Sequence, residues 1–144
     1  MGGPPAGHRA LDPERSGGLV ILVDTSVFMY AVGREHPLRD EARAVFSDPG
    51  SGPLLVTSAE VLQELMHAYL PVGRTETLDA ALELARGRMA TVWAVEAEDV
   101  ELARSLSVRH SGLGARDLLH LACMTRRGAT GLRTFDRALG AAWG

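Results

Sequence analysis

The sequence predicts an α/β fold: a three-layer α/β/α sandwich around a central parallel sheet of four to five strands. Three observations carry this reading. The run Leu19-Val20-Ile21-Leu22-Val23 is apolar and rich in β-branched residues, as expected of a strand buried on both faces. Further short strand-like segments then alternate with amphipathic stretches, the pattern of parallel strands joined by crossover helices. A carboxylate, Asp24, closes the first run at the sheet edge where α/β proteins gather ligands.

Taken in order, Thr25 to Val32 reads as a short helix running into Gly33. His36-Pro37-Leu38 opens a second helix, with Pro at its favoured first position and Leu38, Ala42, Val45 and Phe46 on one face. Asp48 to Pro53 is a loop by composition. Leu54-Leu55-Val56 forms a second strand, and Thr57 to Leu70 a helix ended by Pro71. Arg74 to Arg86 is helical, with Leu78, Ala81, Leu82 and Ala85 inward and Gly87 as a C-cap signal. Met89 to Val95 reads as the third strand and Ala97 to Val108 as a helix, followed by a turn over His110 to Gly114. Ala115 to Arg127 is apolar around most of its circumference and predicts a buried helix. Gly131 to Thr134 is the fourth strand, with a last helical turn or two over Asp136 to Trp143.

A chain of 144 residues with 46% hydrophobic and 23% charged residues suits one soluble domain. Residues 1–18 read as a flexible leader without the apolar core of a secretory signal, and residues 19–144 as the domain. A net charge of −3 gives no global pull toward nucleic acid or anionic membrane. No apolar run approaches the length of a membrane span. Cys123 is the single cysteine, so an internal disulfide is excluded, which fits a cytoplasmic protein. All 15 basic residues are Arg, a bias best read as GC-rich coding. Arg34, Arg39, Arg43, Arg116, Arg126, Arg127, Arg133 and Arg137 are candidate phosphate contacts, with Arg116, beside Asp117, first among them.

Four acids fall where this architecture brings strand ends and a buried helix together: Asp24, Glu64, Asp117 and Asp136. Each also has a plain structural reading. Asp24 and Asp136 suit N-caps, Asp117 complements a helix N-terminus, and Glu64 suits a solvated helix face. Asp117, however, sits on a helix with little polar face, where an unpaired carboxylate costs several kcal/mol. His120, three residues on, is a candidate partner for it. Glu60 fits a capping box with Thr57 and is only second an auxiliary ligand. Carboxylates converging without Cys and with little His select a hard cation, Mg²⁺ or Mn²⁺, and such sites perform phosphoryl chemistry.

The segments Val23-Asp24-Thr25-Ser26-Val27, Thr57 to Leu65, Ala115 to Ala122 and Leu132 to Arg137 resemble, in order, the motifs of PIN-domain ribonucleases. The likeness spans about Val20 to Leu139 and is strongest to the VapC-type toxins of bacterial toxin–antitoxin pairs. It implies a PIN-like fold and an Mg²⁺-dependent endoribonuclease, with Mn²⁺ as substitute, hydrolysing RNA through a metal-activated water. It implies Asp24, Glu64, Asp117 and Asp136 as catalytic residues, with Asp24, Asp117 and Asp136 holding metal. Ser26 and Thr134 match the hydroxyl positions that orient the carboxylates. The likeness also implies homodimerisation and neutralisation by a small antitoxin. Little chain follows Asp136, leaving scant room for the final strand of many relatives.

Two other functions compete with a toxin: a housekeeping RNA-processing nuclease without antitoxin, and a non-catalytic module binding RNA or protein. Retention of all four acids disfavours the second. A phosphatase of the haloacid dehalogenase type needs a second Asp two residues after the first, and position 26 is Ser.

Overall fold

The computed structural model describes residues 18–47 and 52–144. The leader, apart from Gly18, and most of the Asp48–Pro53 loop lie outside these residues. The elements run β1 (Val20–Val23), α1 (Thr25–Val32), α2 (Arg39–Val45), β2 (Leu54–Ser58), α3 (Ala59–Tyr69), a 3₁₀ turn (Leu70–Val72) and α4 (Thr75–Arg88). They continue as β3 (Thr91–Trp93), α5 (Ala97–Leu106), α6 (Ala115–Arg126), β4 (Gly131–Arg133) and α7 (Arg137–Trp143).

The described strands form one four-stranded sheet ordered β3-β2-β1-β4, parallel throughout. β1 is therefore an inner strand, and all four of its residues are buried. Its side chains alternate between layers, as the period of two demands. Val23 packs with α1, α2, α3 and α4, in a core containing Val27, Phe28, Phe46, Leu65 and Leu78. Val20 and Leu22 face the opposite layer, where Trp93, Cys123 and Met124 lie. Leu118, Leu121 and Leu139 extend that second layer between α5, α6 and α7. Glycine at position 131 permits the close pairing of β4 with β1, because a Cβ there would sit 2.6 Å from Ile21 Cδ1. No helix among the described residues is long and apolar enough to cross a membrane.

Several boundaries differ from the sequence reading. β2 extends through Thr57 and Ser58, so the capping box assigned to Thr57 and Glu60 does not form. Ser58 is the N-cap of α3, its hydroxyl accepting the Val61 amide at 3.3 Å. Thr57 instead donates to the Val23 carbonyl at 3.0 Å, inside the sheet. The second helix starts at Arg39 rather than at Pro37, because the His36 imidazole takes the Leu38 amide and shapes a turn first. Gly87 lies within α4, which continues to Arg88. β3 is confined to three residues.

Candidate active site

The carboxyl ends of β1 and β4 place Asp24 and Thr134 side by side. β1 ends at Val23, and the Asp24 amide donates to the Arg133 carbonyl at 3.0 Å, extending the pairing by one residue. Asp24 occupies the N-cap position of α1 but its side chain caps nothing. Its Oδ2 instead accepts two hydroxyls, Thr134 Oγ1 at 2.7 Å and Ser26 Oγ at 3.2 Å. The same hydroxyls accept backbone amides: Phe135 donates to Ser26 Oγ at 3.0 Å and Asp136 to Thr134 Oγ1 at 2.9 Å. Each hydroxyl carries one proton, and both protons are committed to Oδ2. Oδ1 is left without a hydrogen-bond donor among the described residues, its nearest cationic neighbour being His120 Nε2 at 3.6 Å.

Glu64, on α3, is held by two other elements. Thr25 of α1 donates its hydroxyl to Oε1, and His120 Nε2 of α6 lies 2.8 Å from the same oxygen. Glu64 is thus neither a solvated helix residue nor open to a new partner at that oxygen. His120 is buried, with Nδ1 unpartnered. Burial alone would push this imidazole down. The Glu64 bond, with the charges of Glu64, Asp24 and Asp117, outweighs it and raises the pKa above the ordinary value. Burial likewise opposes ionisation of Glu64, but the His120 bond and charge bring its pKa below the usual range. The two directions agree on an ion pair. His120, a candidate partner for Asp117, pairs instead with Glu64, 56 positions away on α3.

Asp117 lies in the first turn of α6 and is half-buried. None of the ion pairs among the described residues includes it. Burial raises its pKa first, and the carboxylates of Asp136, Asp24 and Glu64 raise it further, with His120 opposing. Asp136 caps α7, its Oδ1 accepting the Leu139 amide at 3.1 Å. Glu60 is half-buried, its pKa raised by burial and by Glu64. Arg116 is exposed, and its charge lowers the pKa of both Glu60 and Glu64.

The four acids therefore share one electrostatic neighbourhood. Among the described residues, one ligand-type grouping forms, of Asp24, Glu64 and His120, with one atom of each within 4.8 Å of the others. Asp117 and Asp136 lie outside that grouping, although the charges of Asp24, Glu64 and Asp136 all raise the pKa of Asp117. The carboxylate donor chemistry fits a hard divalent cation.

A family model of the PIN domain matches residues 21–142. The chain belongs to the PIN-domain family. Curated VapC ribonucleases are among its relatives. It is 58% identical over 125 residues to ribonuclease VapC23 of Mycobacterium tuberculosis, covering 86% of this chain and 98% of the relative. It is 42% identical over 119 residues to ribonuclease VapC13 of the same species, covering 82% and 91%. A solved PIN-domain structure, M. tuberculosis VapC20, described as a sarcin-ricin loop cleaving toxin, superposes with a TM-score of 0.65 at 26% identity. It covers 85% of this chain and 94% of that one.

Other features of this PIN domain were not read from the sequence. Thr25 holds Glu64 through its hydroxyl. Arg126 and Arg127 are not free for phosphate, because both bind Asp99 and Glu96. Arg43 is likewise engaged, its Nε donating to the Ala31 carbonyl at 2.9 Å. The signal for Asp99 was present: it shares the inward stripe of α5 with Ala103 and Leu106, at i, i+4 and i+7.

Proposed function

We propose that this PIN domain is a divalent-metal-dependent endoribonuclease, the toxin of a VapBC-type pair, that hydrolyses RNA phosphodiester bonds. The observation that carries the reading is the Asp24 carboxylate, one oxygen fixed by Thr134 and Ser26 and the other left for a ligand. Asp24, Asp117 and Asp136 would hold Mg²⁺ or Mn²⁺, which would supply charge neutralisation at the scissile phosphate and acidify water there. The residues of the chain do the rest. Thr134 and Ser26 fix the rotamer of Asp24, so the oxygen offered to the ligand is pre-positioned. The His120–Glu64 pair ties α6 to α3 and, through Thr25, to α1, the helix that follows Asp24. Glu60 lends negative charge at the margin, and Arg116 is the exposed cation suited to a substrate phosphate.

Chelation supplies the direct test. With EDTA, cleavage of an end-labelled RNA is expected to fall to background and to return on adding Mn²⁺ or Mg²⁺. Undiminished cleavage in EDTA would remove the metal from the mechanism. Thr134→Val tests the positioning network, with an expected loss of roughly 10–100-fold in cleavage at fixed metal, the usual cost of removing a group that orients a metal ligand. The same variant should require more Mn²⁺ for half-maximal rate. An unchanged metal requirement would assign Thr134 to the fold alone.

The names of the relatives favour a toxin over a housekeeping nuclease. On this reading the protein acts in the cytoplasm as a homodimer, and a small VapB-like antitoxin restrains it. Growth arrest on expression, relieved by co-expression of a VapB-like antitoxin, is the expected phenotype.

A further inference from the structure

Next to the acids, one face of α1 opens into a cleft of about 680 Å³, within the roughly 300–1,000 Å³ typical of small-molecule sites. Ser26, Met29, Tyr30 and Gly33 line it at i, i+3, i+4 and i+7, a single helical stripe. The stripe begins at the hydroxyl that holds Asp24 and reaches Tyr30 after a rise of roughly 6 Å. Arg34 and His36, from the segment after α1, and Arg74 complete the walls.

The aromatic groups there are braced yet accessible. The Tyr30 ring lies 4.6 Å from that of His36, tilted by 40°, and edge-on to Phe135 at 5.3 Å. His36 is fixed by the Leu38 N–H donating to its Nδ1, and Phe135 by its backbone N–H donating to Ser26 Oγ. His36 is exposed and Tyr30 half-exposed. Arg74 lies over the Tyr69 ring at 5.7 Å, and neither Arg34 nor Arg74 joins an ion pair among the described residues. Glu35, also on the rim, offers an acceptor for an exocyclic amine. Arg74 also donates to the Thr77 hydroxyl at 3.4 Å. Partly exposed aromatic rings beside guanidiniums outside any ion pair are the chemistry that recognises single-stranded nucleic acid.

We propose that this cleft takes one unpaired nucleobase of the RNA, stacked against Tyr30 and His36, with Arg34 and Arg74 on the flanking phosphates. The inference rests on the nuclease reading and deepens it: the nucleotide beside the scissile bond is selected here.

The test joins a binding readout to a kinetic one. Single-stranded RNA carrying 4-thiouridine is irradiated with wild-type protein in EDTA, and cross-linked peptides are identified by mass spectrometry. Cross-links at Tyr30 or His36 are expected. With Mn²⁺, Tyr30→Ala is expected to raise KM for a single-stranded RNA roughly 5–150-fold, the span of base–aromatic stacking, with kcat nearly unchanged. Tyr30→Phe, which keeps the ring, restores KM. Wild-type protein that cross-links at these residues but cuts no RNA with either metal overturns the nuclease reading and leaves the base pocket standing. Protein that cuts RNA, with cross-links only elsewhere and KM unmoved in Tyr30→Ala, overturns the pocket; a cleft that serves a polypeptide instead gives that same result.

Discussion

Asp24→Asn protein is expected to fold normally and to cut RNA at well below a hundredth of the wild-type rate. The substitution preserves shape, and its amide oxygen can still accept the Thr134 and Ser26 hydroxyls. What disappears is the negative charge and the second anionic oxygen. Changing a group that merely orients a metal ligand costs roughly 10–100-fold, and removing a ligand charge costs more. Stability should move the other way. Asp24 is 5% exposed and adds to the repulsion felt by Asp117, so its neutralisation relieves a like-charge cluster. Initial rates at saturating Mn²⁺, with thermal unfolding of the same preparation, check both halves. A rate near wild type would take Asp24 out of the chemistry, whereas lost rate with lost fold would make it structural.

Asp99→Ala produces the largest expected loss of stability, and it lies away from the acids. Asp99 is fully buried at the start of α5. Arg127 grips it with two nitrogens, at 2.7 and 3.0 Å, and Arg126 adds a third contact at 2.8 Å. The Glu96 amide donates to the same carboxylate at 2.7 Å. Arg127 also reaches the Ala94 carbonyl and lies over the Trp93 ring. One carboxylate thus ties the end of β3, the N-terminus of α5 and the C-terminus of α6. Removing it takes from Arg127 its buried bidentate partner and leaves it the Glu96 and Ala94 contacts, a change that costs about 3–5 kcal/mol, or a fall in Tm on the order of 10 °C. A loss below about 0.5 kcal/mol, the range of ordinary surface changes, would show the network to be dispensable.

The same network sets an acid dependence. Burial opposes ionisation of Asp99, but the Arg127, Glu96 and Arg126 hydrogen bonds outweigh it and hold the carboxyl far below its ordinary value of 3.8. The unfolded chain therefore binds this proton at higher pH than the folded one, and stability rises with pH between the two values. Its contribution is fully present above the ordinary value and is lost as pH falls through the folded one. Urea unfolding below pH 3.8 should accordingly be less steep in pH for Asp99→Asn than for wild type.

The legible parts of this molecule were those with local signals. Val20 to Val23 announced a buried strand by composition, and Asp24 its end by position. Asp136 as a helix cap was equally local. The failures share one cause, that pairing between distant segments leaves no mark on either. Thr25 and His120 meet Glu64 across 39 and 56 positions, so neither neighbourhood in the sequence names the partner. The capping error at Thr57 was a slip of one residue: Thr57 and Ser58 both carry hydroxyls, and sheet pairing decided which stayed in the strand. Asp99 was overlooked because an acid in a helix's first turn reads as ordinary dipole complement, although its place on the apolar stripe marked it as buried.

The central claim is that Asp24 and Asp117 serve one divalent cation. Anomalous scattering from a crystal of the wild-type protein equilibrated with Mn²⁺ tests it most directly. The account predicts Mn²⁺ bound by Asp24 and Asp117, with Asp136 in the same set and Glu64 still paired to His120. Mn²⁺ held by Glu64 and His120 without Asp117, or bound away from the carboxyl ends of β1 and β4, would contradict it.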